Sequence, residues 1–170
     1  MKGEQIFLSL GSNVGDSLEN LLQALLLLQE KGIVLREVSS IYQTAAVGYT
    51  EQADFLNMVV AGETLYSPEE TLALCLAIEK KLGRVRTERW GPRTLDLDLL
   101  FCGEYKLNTP QLQLPHPRFR ERAFVLVPLQ EIAPEFLKKL QVEVPPQKVE
   151  LLITASRVKM MLQKRGLVIK

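Results

Sequence analysis

Residues 55–83 read FLNMVVAGETLYSPEETLALCLAIEKKLG, and the order of two patterns in them decides the fold. Phe55 to Leu65 is a β-branched, apolar run of strand type. Ser67, Pro68 and Glu70 then fall at N-cap, first and third positions of a helix, the arrangement that satisfies its free N–H groups reciprocally. That helix carries Leu72, Cys75, Leu76, Ile78 and Leu82 as its apolar residues and stops at Gly83. Toward the N-terminus, Ile33 to Tyr42 is a second β-branched run. Before it, Leu18, Leu21, Leu22, Leu25 and Leu28 recur on one helical face, with Asp16 and Glu19 as a helix start and Gly32 as its stop. Gln5 to Leu10 is a short apolar strand, with Gly11 to Gly15 as the turn after it. Toward the C-terminus, Thr94 to Phe101 (TLDLDLLF) alternates with period two. The order strand, helix, strand, strand, helix, strand predicts an α+β fold. It is that of a ferredoxin-like βαββαβ core, an antiparallel sheet flanked by helices. Beyond Gly103 only short extended pieces near Tyr105 and Leu112, a Pro115-His116-Pro117 turn, a run Phe124 to Leu129 and a weakly amphipathic tail are legible, a C-terminal extension.

The whole chain has 170 residues, 46% hydrophobic and 24% charged, with 21 Lys plus Arg against 20 Asp plus Glu. One domain over residues 1–170 is expected, long enough to build a core without disulfides. Cys75 and Cys102 form no CxxC pair and, with one His in the chain, cannot complete a tetrahedral zinc site; they read as reduced core residues. The longest purely apolar run, Ala24 to Leu28, is far short of a membrane span, and no signal-peptide pattern opens the sequence. A cytoplasmic protein is expected, with no membrane or nucleic-acid partner and, from its near-neutral charge, a monomer.

Chemistry concentrates in three places. Asp96 and Asp98, at i and i+2 on a strand, direct both carboxylates to one face, with Cα atoms roughly 6 to 7 Å apart. Like charges so close call for cations, and hard divalent ions are a natural match; two Mg²⁺ would fit. A solvated or arginine-paired strand is the plainer alternative. Seven of the ten arginines fall between Arg84 and Arg122 (Arg84, Arg86, Arg89, Arg93, Arg118, Arg120 and Arg122), and their planar forks suit phosphate oxygens. Beside two carboxylates they imply a metal-bound polyphosphate. No P-loop is present, since GSNVG at 11–15 lacks the Lys-Ser/Thr ending. His116, the only histidine, could donate to phosphate from its rigid turn. Trp90, Tyr49, Phe55, Phe119 and Phe124 are candidates for stacking, and Asn57, an amide among apolar neighbours, needs partners if buried and could read a heterocycle edge.

The stretches LGSNVGD (10–16), SSIYQTAAVGYTEQADFLN (39–57), GRVRTERWGPRTLDLDLL (83–100) and LPHPRFRERAFVLVPLQEIAPE (114–135) together resemble the 6-hydroxymethyl-7,8-dihydropterin pyrophosphokinases, folate-pathway enzymes that move pyrophosphate from ATP to a pterin alcohol. The resemblance runs in order through about three-quarters of the chain. It implies that Asp96 and Asp98 hold two Mg²⁺, and that Arg84, Arg93 and the more mobile Arg86 grip the triphosphate of the co-substrate ATP. His116, Arg122, Trp90 and a supporting Glu79 belong to the same ATP side. It further implies that the pterin stacks between Phe55 and Phe124, with Asn57 and Thr44 on its edge and the backbone near Ala45 and Val47 completing the pocket. Arg84, Arg93, Asp96 and Asp98 are then the catalytic set. This sequence departs from the pattern at Ala45, Ala46 and Ala53, where prolines are usual, and at Pro117. The rival readings are an RNA-binding module, for which stacked aromatics in an RNP pattern are missing, and a Mg²⁺-dependent kinase of another heterocyclic alcohol.

Overall fold

A computed structural model describes residues 3–45, 54–83 and 95–169. Among them, strands β1 (Glu4–Ser12), β2 (Val34–Val38), β3 (Ile41–Thr44), β4 (Phe55–Thr64) and β5 (Asp96–Cys102) alternate with helices α1 (Ser17–Glu30) and α2 (Pro68–Lys81). A two-stranded hairpin, β6 (Leu107–Asn108) and β7 (Gln113–Leu114), follows, then helices α3 (Ala123–Ile132) and α4 (Pro134–Leu140), strand β8 (Glu150–Ile153) and helix α5 (Ala155–Gln163). The main sheet has the order β5-β1-β4-β3-β8, with β2 also paired to β4, and every pairing is antiparallel. Long β4 serves two short strands, β3 beside Phe55 to Asn57 and β2 beside Val60 to Glu63. The expected βαββαβ order is present with its second strand divided into β2 and β3.

Local chemistry explains the helix boundaries. Asp16 accepts the Glu19 N–H at 3.0 Å and caps α1, while Ser67 and Glu70 close the capping box of α2. The α1 leucines 21, 22, 25 and 28 are fully buried against one sheet face, with Ile6, Leu8, Leu10, Met58, Val60, Leu97 and Leu99. On the other face α3 and α4 cover Phe7, Val59, Ala61, Leu100 and Phe101. The sheet is thus buried on both sides along part of its length. Burial of such side chains contributes about 1.5 to 3 kcal/mol each, so these two layers dominate folding.

Three readings of the sequence are corrected. The single strand over 33–42 is two, because Ser39 and Ser40 interrupt it: the Ser39 hydroxyl takes the Val59 N–H at 2.9 Å and donates to the Ser40 carbonyl. Gly11 and Ser12 belong to β1, not to a turn, since each is paired across to β4. Leu76 faces solvent, and Glu79 is buried beside Cys75 and Ile78 instead. The run from Phe124 to Leu129, to which the sequence pattern assigns no element, is helical, and the tail adds the sixth strand of the main sheet and a further helix. Val158, Leu162 and Leu167 of that tail join the α1 side of the core.

Candidate functional site

Register places the polar residues of the second face in rows. Phe7 is paired with Ala61 and Phe101, Ser9 with Val59 and Asp98, and Gly11 with Asn57 and Asp96. Residues opposite one another in adjacent strands share a face, so this face turns from wholly apolar, under α3, to Ser9, Asp98, Asp96, Gly11 and Asn57 at its other end. An extra residue in β5, between the partners of Phe7 and Leu8, makes the switch possible. Through it, Asp96 and Asp98 face the open end while Leu100 and Phe101 both pack under α3. The two aspartates are half-buried, as the period-two reading required.

Their backbone is held from outside. Between them, the Leu97 N–H donates to Glu79 Oε2 at 2.8 Å, and Glu79 is only 4% exposed. That carboxylate satisfies a ladder position on the edge of β5 away from β1 and so fixes where the two carboxylates stand. Three residues further on, the Leu100 carbonyl accepts the His116 N–H at 2.9 Å, which docks the Pro115-His116-Pro117 turn on the same edge. His116 Nδ1 accepts the Arg118 N–H at 3.1 Å, so Nε2 carries the proton of the neutral ring. Burial lowers the His116 pKa; the carboxylate of Asp98 opposes this, and Arg122 and Arg118 reinforce it. His116 is thus a neutral Nε2–H donor at physiological pH.

Arg122 sits just before α3. Its Nη1 lies 4.0 Å from Asp98 Oδ2 and its guanidinium 5.6 Å from the centre of the Phe124 ring. Asp98, Arg122 and Phe124 therefore form one continuous wall. On the far side of the row, Asn57 is 4% exposed and donates from Nδ2 to Thr44 Oγ1 at 2.8 Å, the partner its apolar surroundings demanded. Thr44 is opposite Phe55. Gly11 between the two halves is glycine for a reason: a Cβ there would stand 2.9 Å from Asn57 Oδ1. Ala45 is exposed just after β3. Arg84, Arg86, Arg93, Trp90 and Val47 lie outside the described residues. Ser9 and Gly11, the floor of the site, carry no local signal in the sequence; the signal for Gly11 is its strand register, which only the pairing reveals.

The sequence matches the family model for 7,8-dihydro-6-hydroxymethylpterin-pyrophosphokinase over residues 7–134. The chain belongs to this family. A Bacillus subtilis 2-amino-4-hydroxy-6-hydroxymethyldihydropteridine pyrophosphokinase is 49% identical over 134 residues, 78% of this chain and 80% of the relative. A Synechocystis enzyme of the same name is 47% identical over 129 residues, 75% of this chain and 66% of the relative. A pea mitochondrial folate synthesis bifunctional protein is 43% identical over 129 residues, but the match spans only 25% of that longer chain. Among solved structures, a Plasmodium falciparum HPPK-DHPS superposes with a TM-score of 0.62 at 14% identity, over 96% of this chain and 44% of that one. That likeness speaks for the fold alone. As a pyrophosphokinase the protein transfers pyrophosphate from ATP to the hydroxymethyl group of 6-hydroxymethyl-7,8-dihydropterin, a step of folate biosynthesis, and the rival binding-module and other-kinase readings fall away.

Proposed function

We propose that this transfer takes place at the polar end of the second sheet face, with the pterin over Gly11 and Asn57 and the ATP phosphates over Asp96 and Asp98. One observation carries the reading: Asp96, Gly11 and Asn57 occupy a single register row across β5, β1 and β4. Adjacent strands are about 4.8 Å apart, so the strands that carry the carboxylate and the amide are roughly 10 Å from each other, with a glycine between them whose missing side chain makes room for the Asn57 amide oxygen. Phe55 and Phe124 would stack on the pterin, Thr44 and Asn57 would meet its polar edge, and the backbone near Ala45 and Val47 would close the pocket.

Two half-buried carboxylates suit Mg²⁺, which keeps much of its shell for water and substrate phosphates and takes one or two side chains from the protein. We read Asp96 and Asp98 as the residues that would hold two such ions, which would supply neutralisation of the phosphate charge. The rest falls to the chain itself. Neutral His116 would offer Nε2–H to a phosphate oxygen, and Arg122, already turned toward Asp98, would share the same phosphates. Arg84, Arg86 and Arg93 would grip the triphosphate, with Trp90 on the same side, as the family pattern implies. The pterin hydroxyl attacks the β-phosphorus in line and AMP leaves, so positioning and charge neutralisation supply the rate and no covalent intermediate is needed.

The same reading takes residues 1–170 as one domain acting as a cytoplasmic monomer. A core that draws on Ile6 at one end and Leu167 at the other supports the first part. Among the described residues, no helix is long and apolar enough to cross a membrane. Phe124→Ala tests the pterin assignment: pterin binding, followed by fluorescence titration, is expected to weaken by tenfold or more while ATP binding stays within about twofold. Equal loss of both would refute a stacking role.

A further inference from the structure

Glu131 stands in the last turn of α3, where a negative charge opposes the helix dipole. Its carboxylate is nonetheless crowded with donors. Oε1 accepts the Ser40 N–H at 2.8 Å and the Tyr42 hydroxyl at 2.8 Å, and Oε2 accepts the Ser40 hydroxyl at 2.7 Å. Burial first, and Glu131 next, push the Tyr42 hydroxyl up to about 12, so it remains a donor. The buried Ser40 oxygen in turn accepts the N–H of Ala155, the first residue of α5, at 2.9 Å. A chain of hydrogen bonds thus runs from α5, through the start of β3, to α3.

Both ends of this chain lead to the site. Phe124 is seven residues before Glu131, two turns along the same helix face. Tyr42 is paired with Asn57, and Thr44, two residues further along β3, holds the Asn57 amide. Strand β8 lies beside β3, with Leu151 opposite Tyr42. Helix α5 and β8 are beyond residue 134, where the family match ends.

We propose that Ser40 and Glu131 are positioning residues through which the C-terminal helix sets the spacing of the pterin pocket, by clamping the α3 wall that carries Phe124 against the β3 floor that carries Thr44. The proposal rests on reading Phe124, Asn57 and Thr44 as the pterin side of the site. It concerns positioning only: none of these groups touches the reacting atoms.

The relay can be cut at one atom. Proline is well suited to the first position of a helix, and Thr154 before it is already extended, with φ −68° and ψ 153°, as a residue preceding proline should be. Ala155→Pro therefore deletes the N–H to Ser40 and leaves α5 intact. Ser40→Ala removes the shared hydroxyl, and Glu131→Gln keeps the shape while making one oxygen a donor group. We expect Ala155→Pro and Ser40→Ala each to raise the pterin KM and Kd about three- to tenfold, the loss typical of one or two hydrogen bonds, with kcat and the ATP KM within twofold. The double variant should be no worse than Ser40→Ala alone, because both cut the same chain. If the variants melt at lower temperature with pterin KM unchanged, or if pterin and ATP KM rise together, the clamp is structural and the proposal fails. An additive double variant overturns it as well. Should Glu131→Gln not fold, Ala155→Pro and Ser40→Ala carry the test. Wild-type protein that makes AMP while the variants keep its pterin KM contradicts the proposal alone; wild-type protein that binds no pterin contradicts the pocket reading beneath it.

Discussion

Gly11 shows how a residue without a side chain can shape a site. Its row partners are Asn57 on one side and Asp96 on the other, and the room its missing Cβ leaves is where the Asn57 carbonyl oxygen sits, 2.9 Å from the position that carbon would take. Gly11→Ala is therefore expected to push the amide aside and weaken pterin binding roughly tenfold, equivalent to about 1.4 kcal/mol, with ATP binding unchanged. Fluorescence titration of the variant with pterin checks this, and unaltered affinity would show that the amide does not read the ring. Asn57 itself was legible in the sequence, because an amide inside FLNMVV must find a partner when buried, and Thr44 is that partner. Gly11 was not legible. A glycine near a strand end resembles a turn until the strands on both sides are known. The aspartates were legible from alternation alone, but that Glu79 holds the backbone between them was hidden, since nothing in a helical pattern says which charged residue faces inward.

At the scale of elements, what could be read depended on whether the signal was local. The Ser67-Pro68-Glu70 start of α2 is complete within four residues, and the structure contains it as written, with Ser67 and Glu70 each bonding the other's backbone. Ser67→Ala is expected to cost about 1 kcal/mol in urea unfolding, with the slope of the transition unchanged; no loss would mean that packing alone holds the helix start. Helix α3 gave no such signal. Its sequence AFVLVPLQEI is apolar on nearly every side, as befits a helix with Val125, Leu126 and Leu129 all buried, so no 3.6-residue period stands out, and Pro128 argues locally against a helix. The break between β2 and β3 depends on Ser39 reaching Val59, twenty residues away, and tertiary bonds of that kind leave no local trace. Both missed features flank the site: α3 supplies Phe124, and β3 supplies Thr44.

The whole molecule is closed by its C-terminal segment, the part least legible in sequence because each of its elements is short and lies beyond the family match. Strand β8 extends the sheet beside β3, α5 covers the core near β2, and Arg165 forks onto Glu19 of α1, with Nη2 at 2.8 Å from Oε1 and Nη1 bonded to Oε2. The Arg165 bond, with Gln23 second, holds the Glu19 carboxyl down at about 2 against an ordinary 4.5. A carboxyl with a depressed folded-state pKa stabilises the fold above its unfolded value and loses that contribution as pH falls through the folded one. Stability from this tie is thus complete above pH 4.5 and fades toward pH 2. Both side chains are partly exposed, so solvent screening keeps the gain below about 1 kcal/mol. Arg165→Ala should accordingly lower the melting temperature slightly at pH 6, by less at pH 3, and by less again in high salt. A difference that grows on acidification would contradict the assignment.

All of these features serve one claim, that the row of Asp96, Gly11 and Asn57 is where ATP and the pterin meet. The most direct measurement is AMP formation by wild-type protein and by Asp98→Asn, with ATP, Mg²⁺ and 6-hydroxymethyl-7,8-dihydropterin together and with each left out in turn. AMP is expected only from the complete mixture, with a loss of about a hundred- to a thousandfold in the variant, the scale seen when a group that stabilises transition-state charge is removed, and with its fold retained by circular dichroism. Near-normal AMP formation by Asp98→Asn, or ADP in place of AMP from the wild type, would contradict it.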